Sequence, residues 1–556
     1  MFTSTIPIGK KISPTPLRAK TQNNLCHPSM LKILISDHLS DSGWAVFRAA
    51  EDAQLAGPFA ERSAILGAAR DAQAIIVRSS TRVDRELLDG APTLRVAARA
   101  GAMLENIDLD ECTRRGIMVI NVPDANVIAV SEHTIGMMLA LARHIPLGYA
   151  SLRNGEWRRF DLIGAQLHGK TLGIIGYGRH GREVAARAQA FGMATLAYDP
   201  YIDEGYARAQ QVSIVGIDEL LARSDFISLN TALTPETANL LSREAFEKVK
   251  DGARIINCTH ADLIDEAALL DALDCGKVAG AALDVLKAEP PLPNHPLVCH
   301  PRVIVTPHLN QNTIDSQAAT SRQVAEDVLA ALRGEDYRNV VNLPFRPGTE
   351  YASAKPYLLL AEKLGRVQGQ LAAGVINRVE IEVLGDGLQG LVRPVAAALL
   401  KGMLRPVDER PVNYVSAPVI AYEQGIQTSQ TRVLELVDYP NLISCRVHWP
   451  GGSRTMAGVI FAGGEPRLVQ YDSFRIDANP TGFVLVLCNN DVPGVIGKVG
   501  TLLGAHHVNI GEWRYGRDKP GGRAVSFINL DSPPSSAAME SLRQLPQITD
   551  ARLVKL

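Results

Sequence analysis

The chain has almost no net charge, no long apolar run and no paired cysteine motif. Its 57 basic and 59 acidic side chains leave a formal charge of -2, too little to gather nucleic acid or an anionic membrane surface. No apolar stretch reaches the ~18 residues that a bilayer span needs. Even the apolar segment from Val130 to Ile145 is broken by Glu132, His133, Arg143 and His144. The seven cysteines, Cys26, Cys112, Cys258, Cys275, Cys299, Cys445 and Cys488, are scattered and include no Cys-x-x-Cys pair. That usage argues against a disulfide framework and a zinc site, so no metal is expected, and it fits a reducing, cytoplasmic compartment. Residues 1–29 contain no acid, and Met30 stands directly before the strand-like Leu31 to Ser36. This head lacks the apolar core of a secretory signal and reads as a disordered leader or an upstream extension.

What is present is the composition of a globular protein, 46% hydrophobic and 21% charged, in a chain long enough for about three or four domains. Short apolar runs alternate with helical patterns from Met30 onward: Lys32 to Ser36, Ala74 to Val77, Val96 to Ala98, Met118 to Asn121 and the run beginning at Thr171. The rhythm continues through Phe226 to Asn230, Ala253 to Asn257, Gly280 to Asp284 and Val303 to Thr306. This is the signature of parallel α/β architecture. It predicts two doubly wound lobes, a flavodoxin-like one and a Rossmann one, with a helix from Thr313 to Arg333 returning the chain to the first.

The rhythm stops near Asn342-Leu343-Pro344-Phe345, and Arg346-Pro347-Gly348 reads as a linker. A mixed α+β domain follows, with strands expected at Arg432 to Val437 and Ser444 to His448. After Asn479-Pro480-Thr481-Gly482 the order strand, helix, strand, strand, helix, strand predicts a small ferredoxin-like module. The expected boundaries are 30–128 plus 313–345, then 129–312, 346–480 and 481–556.

The motif with the clearest chemistry is Gly176-Tyr177-Gly178-Arg179-His180-Gly181, which follows the apolar run Thr171 to Ile175 and opens a helical pattern. Gly176 permits the strand-to-helix turn, Gly178 lets backbone approach a pyrophosphate, Gly181 lets helix and strand pack, and the phosphates face the helix N-terminus. The next apolar run, Ala194 to Tyr198, ends in Asp199. A carboxylate there accepts from ribose hydroxyls, and no arginine or lysine follows to hold a 2′-phosphate, which selects NAD over NADP.

A hydride acceptor needs a proton acceptor beside the substrate. His308 lies just beyond the last sheet strand, where strand ends face the ligand crevice. Glu289 follows the strand ending in Asp284, and a carboxylate there would fix the imidazole tautomer.

These residues resemble the D-2-hydroxyacid dehydrogenase family and, within it, the long phosphoglycerate dehydrogenase branch. The resemblance covers essentially Met30 to Leu556 and rests on Val77-Arg78-Ser79-Ser80-Thr81, Arg99-Ala100-Gly101, the glycine turn, Gly280 to Val285, Glu289-Pro290-Pro291 and Pro307-His308. It implies NAD-dependent oxidation of 3-phosphoglycerate to 3-phosphohydroxypyruvate, the first step of serine synthesis, with His308 as base and Glu289 in support. Arg78 and Arg82 suit phosphate recognition, with Ser79 between them and Gly101 and Met103 lining the substrate. Thr81, Thr231, Cys258 with Thr259, and Asp284 match positions at the nicotinamide end, while Arg179 and His180 fill the glycine turn. Asn413 to Pro418 is similar to the family's intervening allosteric substrate-binding domain. Asp491 to Gly497, followed by Val508-Asn509-Ile510, is similar to an ACT domain, which implies an amino-acid effector such as serine near Asp491, Gly494, Asn509 and Ile510. The helical Val130 to His144 resembles the family's dimer-forming helix, so a homodimer or homotetramer is implied.

The departures concentrate on the pocket. His260 occupies the catalytic arginine position in Asn257-Cys258-Thr259-His260-Ala261-Asp262, Asp262 replaces a glycine, and Met103 replaces the glycine expected after Arg99-Ala100-Gly101-Ala102. Asn310-Gln311 replaces Gly-Ala after His308, and His180 replaces an apolar residue. A guanidinium grips a carboxylate with two parallel bonds at any working pH, whereas an imidazole offers one donor and partial charge. Three readings therefore stand: a phosphoglycerate dehydrogenase with an atypical, weakened pocket, a dehydrogenase or reductase for another 2-hydroxy or 2-oxo acid, or a regulator that binds NAD and an amino acid without turnover.

Overall fold

The computed structural model describes residues 30–345, 350–388, 390–404, 412–433, 439–461 and 463–556. The expected leader at 1–29, the linker Arg346-Pro347-Gly348 and the 434–437 part of the expected strand lie outside the described residues.

The first sheet is wholly parallel. Strands β1 (Leu31–Ile35), β2 (Ala53–Ala56), β3 (Ala74–Val77), β4 (Val96–Arg99) and β5 (Met118–Ile120) stand in the order β2-β1-β3-β4-β5. This is the flavodoxin-like order. The edge strand β2 escaped the sequence reading because only alternate residues are partly buried, so it carries no apolar run. The helix Ile314–Arg333 returns to this sheet and packs on the helix Asp41–Arg48. Gly43 makes the contact possible, since a Cβ there would stand 2.7 Å from the Ser321 carbonyl oxygen.

The second sheet contains β6 (Thr171–Ile175), β7 (Ala194–Tyr198), β8 (Ser213–Ile214), β9 (Phe226–Leu229), β10 (Ala253–Asn257), β11 (Val278–Leu283) and β12 (Val303–Val305). Its order, β12-β11-β10-β9-β6-β7-β8, reverses at β6 and is parallel throughout. The reversal puts a crevice at the carboxyl ends of β6 and β9. Strand β8, only two residues long, was also illegible in the sequence. The long helix Val127–Ala142 crosses from the first lobe and packs on the helix Arg179–Ala190 and on β11.

The third sheet, of β13 (Arg378–Leu384), β14 (Gln427–Val433), β15 (Leu442–Trp449), β16 (Gly452–Ile460), β17 (Pro466–Tyr471) and β18 (Phe474–Ala478), runs β14-β13-β15-β16-β17-β18 and is mixed. Helices Tyr351–Leu371 and Val392–Leu404 pack together beside it. Buried Glu362 joins them, 2.7 Å from Lys401 Nζ and 2.6 Å from Arg366 Nη2. The last sheet, β20-β21-β19-β22, is antiparallel, from β19 (Phe483–Asn490), β20 (Ile510–Arg517), β21 (Arg523–Leu530) and β22 (Ile548–Lys555). With helices Val495–Ala505 and Ser536–Arg543 it is the ferredoxin-like module.

Candidate active site

Because both large sheets are parallel, each gathers its strand-end residues on one edge. The two edges face each other across a cavity of about 550 Å³. The first lobe contributes Arg78 and Ser79 after β3 and Arg99, Gly101 and Met103 at and after β4. The second contributes His180 from the glycine turn, Thr231 after β9, Cys258, Thr259 and His260 after β10, Glu289 after β11 and His308 after β12.

The glycine turn has the shape a dinucleotide needs. Gly176 sits at φ 90, and a Cβ on it would stand 2.8 Å from the Asn230 carbonyl and the Thr231 nitrogen. A Cβ on Gly181 would lie 2.1 Å from the Gly176 oxygen, whereas Gly178, the N-cap of the helix Arg179–Ala190, faces open space. The turn is thus closed beneath and open above, where a pyrophosphate would approach the helix N-terminus. Asp199 is held by the Tyr177 N–H, 2.9 Å from Oδ2, and the Tyr201 N–H, 3.0 Å from Oδ1.

His308 Nδ1 lies 2.8 Å from Glu289 Oε2. The other Glu289 oxygen, Oε1, accepts from the Leu286 N–H at 3.2 Å. His308 adopts φ 53, and its own N–H donates to the carbonyls of Asp284 and Thr306, each at 3.0 Å. His260 is half-buried. Burial pushes its proton affinity below the ordinary imidazole value, with Glu105 and Asp262 opposing and His308 adding to the effect. His180 is lowered too, first by burial and then by Arg179. Burial pushes the Cys258 thiol up to about 12, so this residue packs as a neutral side chain.

Several of the expected site residues are held by the chain itself. Asp284 is one. It is 1% exposed, and its carboxylate accepts from the Thr306 hydroxyl at 2.6 Å and the backbone of Leu309 and Asn310 at 2.8 and 2.9 Å, with His133 Nε2 at 3.1 Å. Burial works against its ionisation, but the bonds from His133, Thr306 and Leu309 outweigh it and hold the carboxyl below its usual value. Thr81 and Arg82 line a separate cavity with Asp37, Phe59 and Arg62, and the Thr81 hydroxyl donates to Asp37 at 3.0 Å. Asp37 also takes the Ser80 hydroxyl and the Arg78 N–H, while Arg78 and Ser79 line the cleft. Arg179 pairs with Asp124 on the opposite side of the turn from His180. Asp262 lies 3.9 Å from Lys287, outside the set of lining residues, which offsets the charge expected to oppose an anion. The Gly101 N–H donates to the Arg99 carbonyl at 2.9 Å within its own turn.

In the last module, Asp491 accepts from the Tyr515 hydroxyl at 2.8 Å, the Gly521 N–H at 3.1 Å and Arg517 at 3.2 Å. Gly494, at φ 89, caps the helix Val495–Ala505, Asn509 donates to Asp531 at 2.6 Å, and Ile510 begins β20. Asp491 and Asn509 are both engaged by the chain itself.

The sequence reading quoted Arg99 and Gln311 without giving either a role, and it passed over Asn106 and Asn126. Arg99 is buried at the end of β4, its Nη1 2.8 Å from both Glu105 Oε2 and Asn106 Oδ1. Asn106 in turn donates to the Arg78 carbonyl at 2.6 Å and so ties Arg99 to the Arg78 loop. Asn126 and Gln311, on the two crossings between lobes, bond to each other at 3.0 Å. The strand-end position of Arg99 and the departure at Gln311 were usable signals; Asn106 and Asn126 carry none without the fold.

Residues 135–310 match the family model described as D-isomer specific 2-hydroxyacid dehydrogenase, NAD binding domain. Residues 353–472 match the D-3-phosphoglycerate dehydrogenase intervening domain, and 483–547 the ACT domain. Among solved structures, the TT0316 protein of Thermus thermophilus is 32% identical with a TM-score of 0.51, covering 56% of this chain and 99% of that one. A glyoxylate reductase of Paecilomyes thermophila shows the same identity and TM-score over 56% of this chain and 98% of its own. These define the class, an NAD-dependent oxidoreductase. The D-3-phosphoglycerate dehydrogenase of Methanocaldococcus jannaschii is 38% identical over 528 residues, 95% of this chain and 100% of that protein. That of Bacillus subtilis is 39% identical over 483 residues, 87% of this chain and 92% of its own. The chain belongs to the D-3-phosphoglycerate dehydrogenase family.

Proposed function

We propose that this protein oxidises 3-phospho-D-glycerate to 3-phosphohydroxypyruvate, the first step of L-serine synthesis. The observation that carries the reading is the His308–Glu289 pair on the wall of the interlobe cavity, in a chain whose relatives bear that activity's name along almost their whole length. Bound NAD supplies the hydride acceptor. Glu289 holds Nδ1, which leaves Nε2 of His308 to take the hydroxyl proton. Arg78, Ser79 and Arg99 supply donors for the substrate's anionic groups, with Gly101 and Met103 shaping that end. Thr231 and Thr259 would flank the nicotinamide, and the glycine turn with Asp199 would hold the rest of the cofactor.

His260 sets the rate in this reading. It offers one donor where two were expected, and burial favours its neutral form. That same residue favours the second reading, in which another 2-oxo acid is the substrate or turnover has been lost. Following NADH absorbance with 3-phosphohydroxypyruvate, then with other 2-oxo acids, separates these. Oxidation of NADH by 3-phosphohydroxypyruvate supports the first reading, oxidation only by another acid supports the second, and none with any acid leaves an NAD- and amino-acid-binding regulator.

The ACT module supports a small amino-acid effector, with serine the one proposed. Calorimetry with serine tests it, and absence of heat counts against serine. The segment after the long helix supports a homodimer or homotetramer: Trp157, Phe160 and Ile163 are 75%, 80% and 82% exposed in one chain, a patch that a second copy would cover. Sedimentation as a monomer at micromolar concentration would oppose this. Among the described residues no helix is long and apolar enough to cross a membrane; a cytoplasmic location remains part of the proposal.

A further inference from the structure

The turn that carries His308 is held from two sides. On one side stands Asp284, beyond β11, which accepts from Thr306, Leu309 and the backbone of Asn310. On the other stands Cys258, beyond β10, whose carbonyl accepts from the Asn310 side-chain Nδ2 at 2.7 Å. That bond reaches the short segment Cys258-Thr259-His260, which presents another imidazole of the cavity wall.

Stability alone does not account for an asparagine here. Asn310 is 7% exposed, and its Oδ1 is buried with no hydrogen-bond partner. One amide bond made against one acceptor buried unpaired is close to balance. The donor on the Cys258 carbonyl also fixes which way the amide points. A glycine at 310 would keep every bond to Asp284 and lose the tie to Cys258. His308 meanwhile sits at φ 53, a conformation that its surroundings must hold for any residue with a Cβ.

We propose that Asn310 is a positioning residue: its side-chain amide ties the His308 turn to the segment bearing His260 and so sets how these two imidazoles stand relative to each other on the cavity wall. The proposal rests on the reading of His308 as the base. Asn310 and His260 are then a matched pair, the amide holding in place a turn that works beside an imidazole instead of a guanidinium. A charge on His308 opposes protonation of His260, whose other charged or titratable neighbours are Glu105, Asp262 and His180.

The test compares full-length wild type, Asn310→Ala, His260→Ala and the double variant. NMR titration of Cε1-labelled histidines reads the geometry without any turnover. In Asn310→Ala the His260 titration moves upward as the two rings separate, while the melting temperature stays within ~2 °C. In assays, kcat falls ~10-fold in Asn310→Ala at unchanged KM, yet less than ~2-fold further when residue 260 is already alanine. An unmoved His260 titration, or a kcat loss equal with and without His260, overturns the proposal. Asn310→Gly, which keeps the backbone bond to Asp284 and removes the donor without adding a charge, gives the same comparison if the alanine variant does not fold. Failure of wild type to reduce any 2-oxo acid defeats the functional reading, and the titration still decides this one.

Discussion

Glu289 and His308, 19 residues apart in the chain, meet at 2.8 Å between Oε2 and Nδ1. They meet because β11 and β12 are parallel neighbours, so the loops leaving their carboxyl ends emerge side by side. With Nδ1 committed to the carboxylate, Nε2 becomes the nitrogen for proton transfer. Glu289→Gln keeps the size and removes the charge. Its kcat should fall ~10²-fold with NAD affinity nearly unchanged, measured by NADH absorbance and by calorimetry.

His260→Arg should raise phosphoglycerate turnover. A missing transition-state contact commonly costs ~3 kcal/mol, roughly a hundredfold in rate, and the arginine restores a permanent charge with two parallel donors. If wild type already runs at ordinary dehydrogenase rates and the variant is slower, His260 is not the weak point.

The same residue makes activity depend on pH. Burial lowers the proton affinity of His260, so it is neutral at pH 8 and becomes a cation only as the pH falls through a value below the ordinary one of about 6.5. Anionic substrate binds the cation better, so KM for 3-phosphohydroxypyruvate should change little from pH 8 to about pH 6.5 and fall below it, and that fall should be absent in His260→Arg. The linked stability effect has the opposite sense. The unfolded chain takes up this proton first, so stability from the group is present above about pH 6.5 and is lost as pH drops toward the lowered folded value.

Arg78 and Arg82 should separate cleanly. Arg78 lines the interlobe cavity and Arg82 lines the neighbouring one. Arg78→Ala should raise substrate KM by ~10-fold or more, while Arg82→Ala should stay within ~3-fold of wild type. Equal losses in steady-state assays would show that the two cavities serve one substrate.

Gly181→Ala places a Cβ 2.1 Å from the Gly176 oxygen. The turn or the helix must shift, at a cost of ~1–3 kcal/mol, and NAD affinity should drop with stability. Gly178→Ala meets no neighbouring atom within 4 Å, so its melting temperature should hold while NAD binding weakens. Paired melting and calorimetry distinguish the two glycines.

Much of the architecture was legible because parallel strands buried on both faces read as continuous apolar runs. Thr171 to Ile175, Ala253 to Asn257 and the helix that Thr313 caps are plain in the residue pattern. Strands β2 and β8 were not, since one is a half-exposed edge and the other has two residues. Thr81 and Asp284 were placed beside the cofactor by resemblance, and both are occupied by other partners: Asp37 takes one, and Thr306 with the backbone of Leu309 and Asn310 takes the other.

By itself the sequence determined the turn chemistry, the strand rhythm and the residue types at the strand ends, because these depend on local sterics and on spacing along the chain. The glycines at 176, 178 and 181, the carboxylate at 199 and the histidines at 260 and 308 needed no fold to be noticed. The tertiary structure alone decided which of them share a cavity. Arg99 meets Glu105 and Asn106, Asn126 meets Gln311 across the two interlobe crossings, and Asn310 reaches Cys258 from 52 residues away. Side-chain hydrogen bonds form between groups that the sheet order brings to one edge, and sheet order is a long-range property that no window of sequence contains.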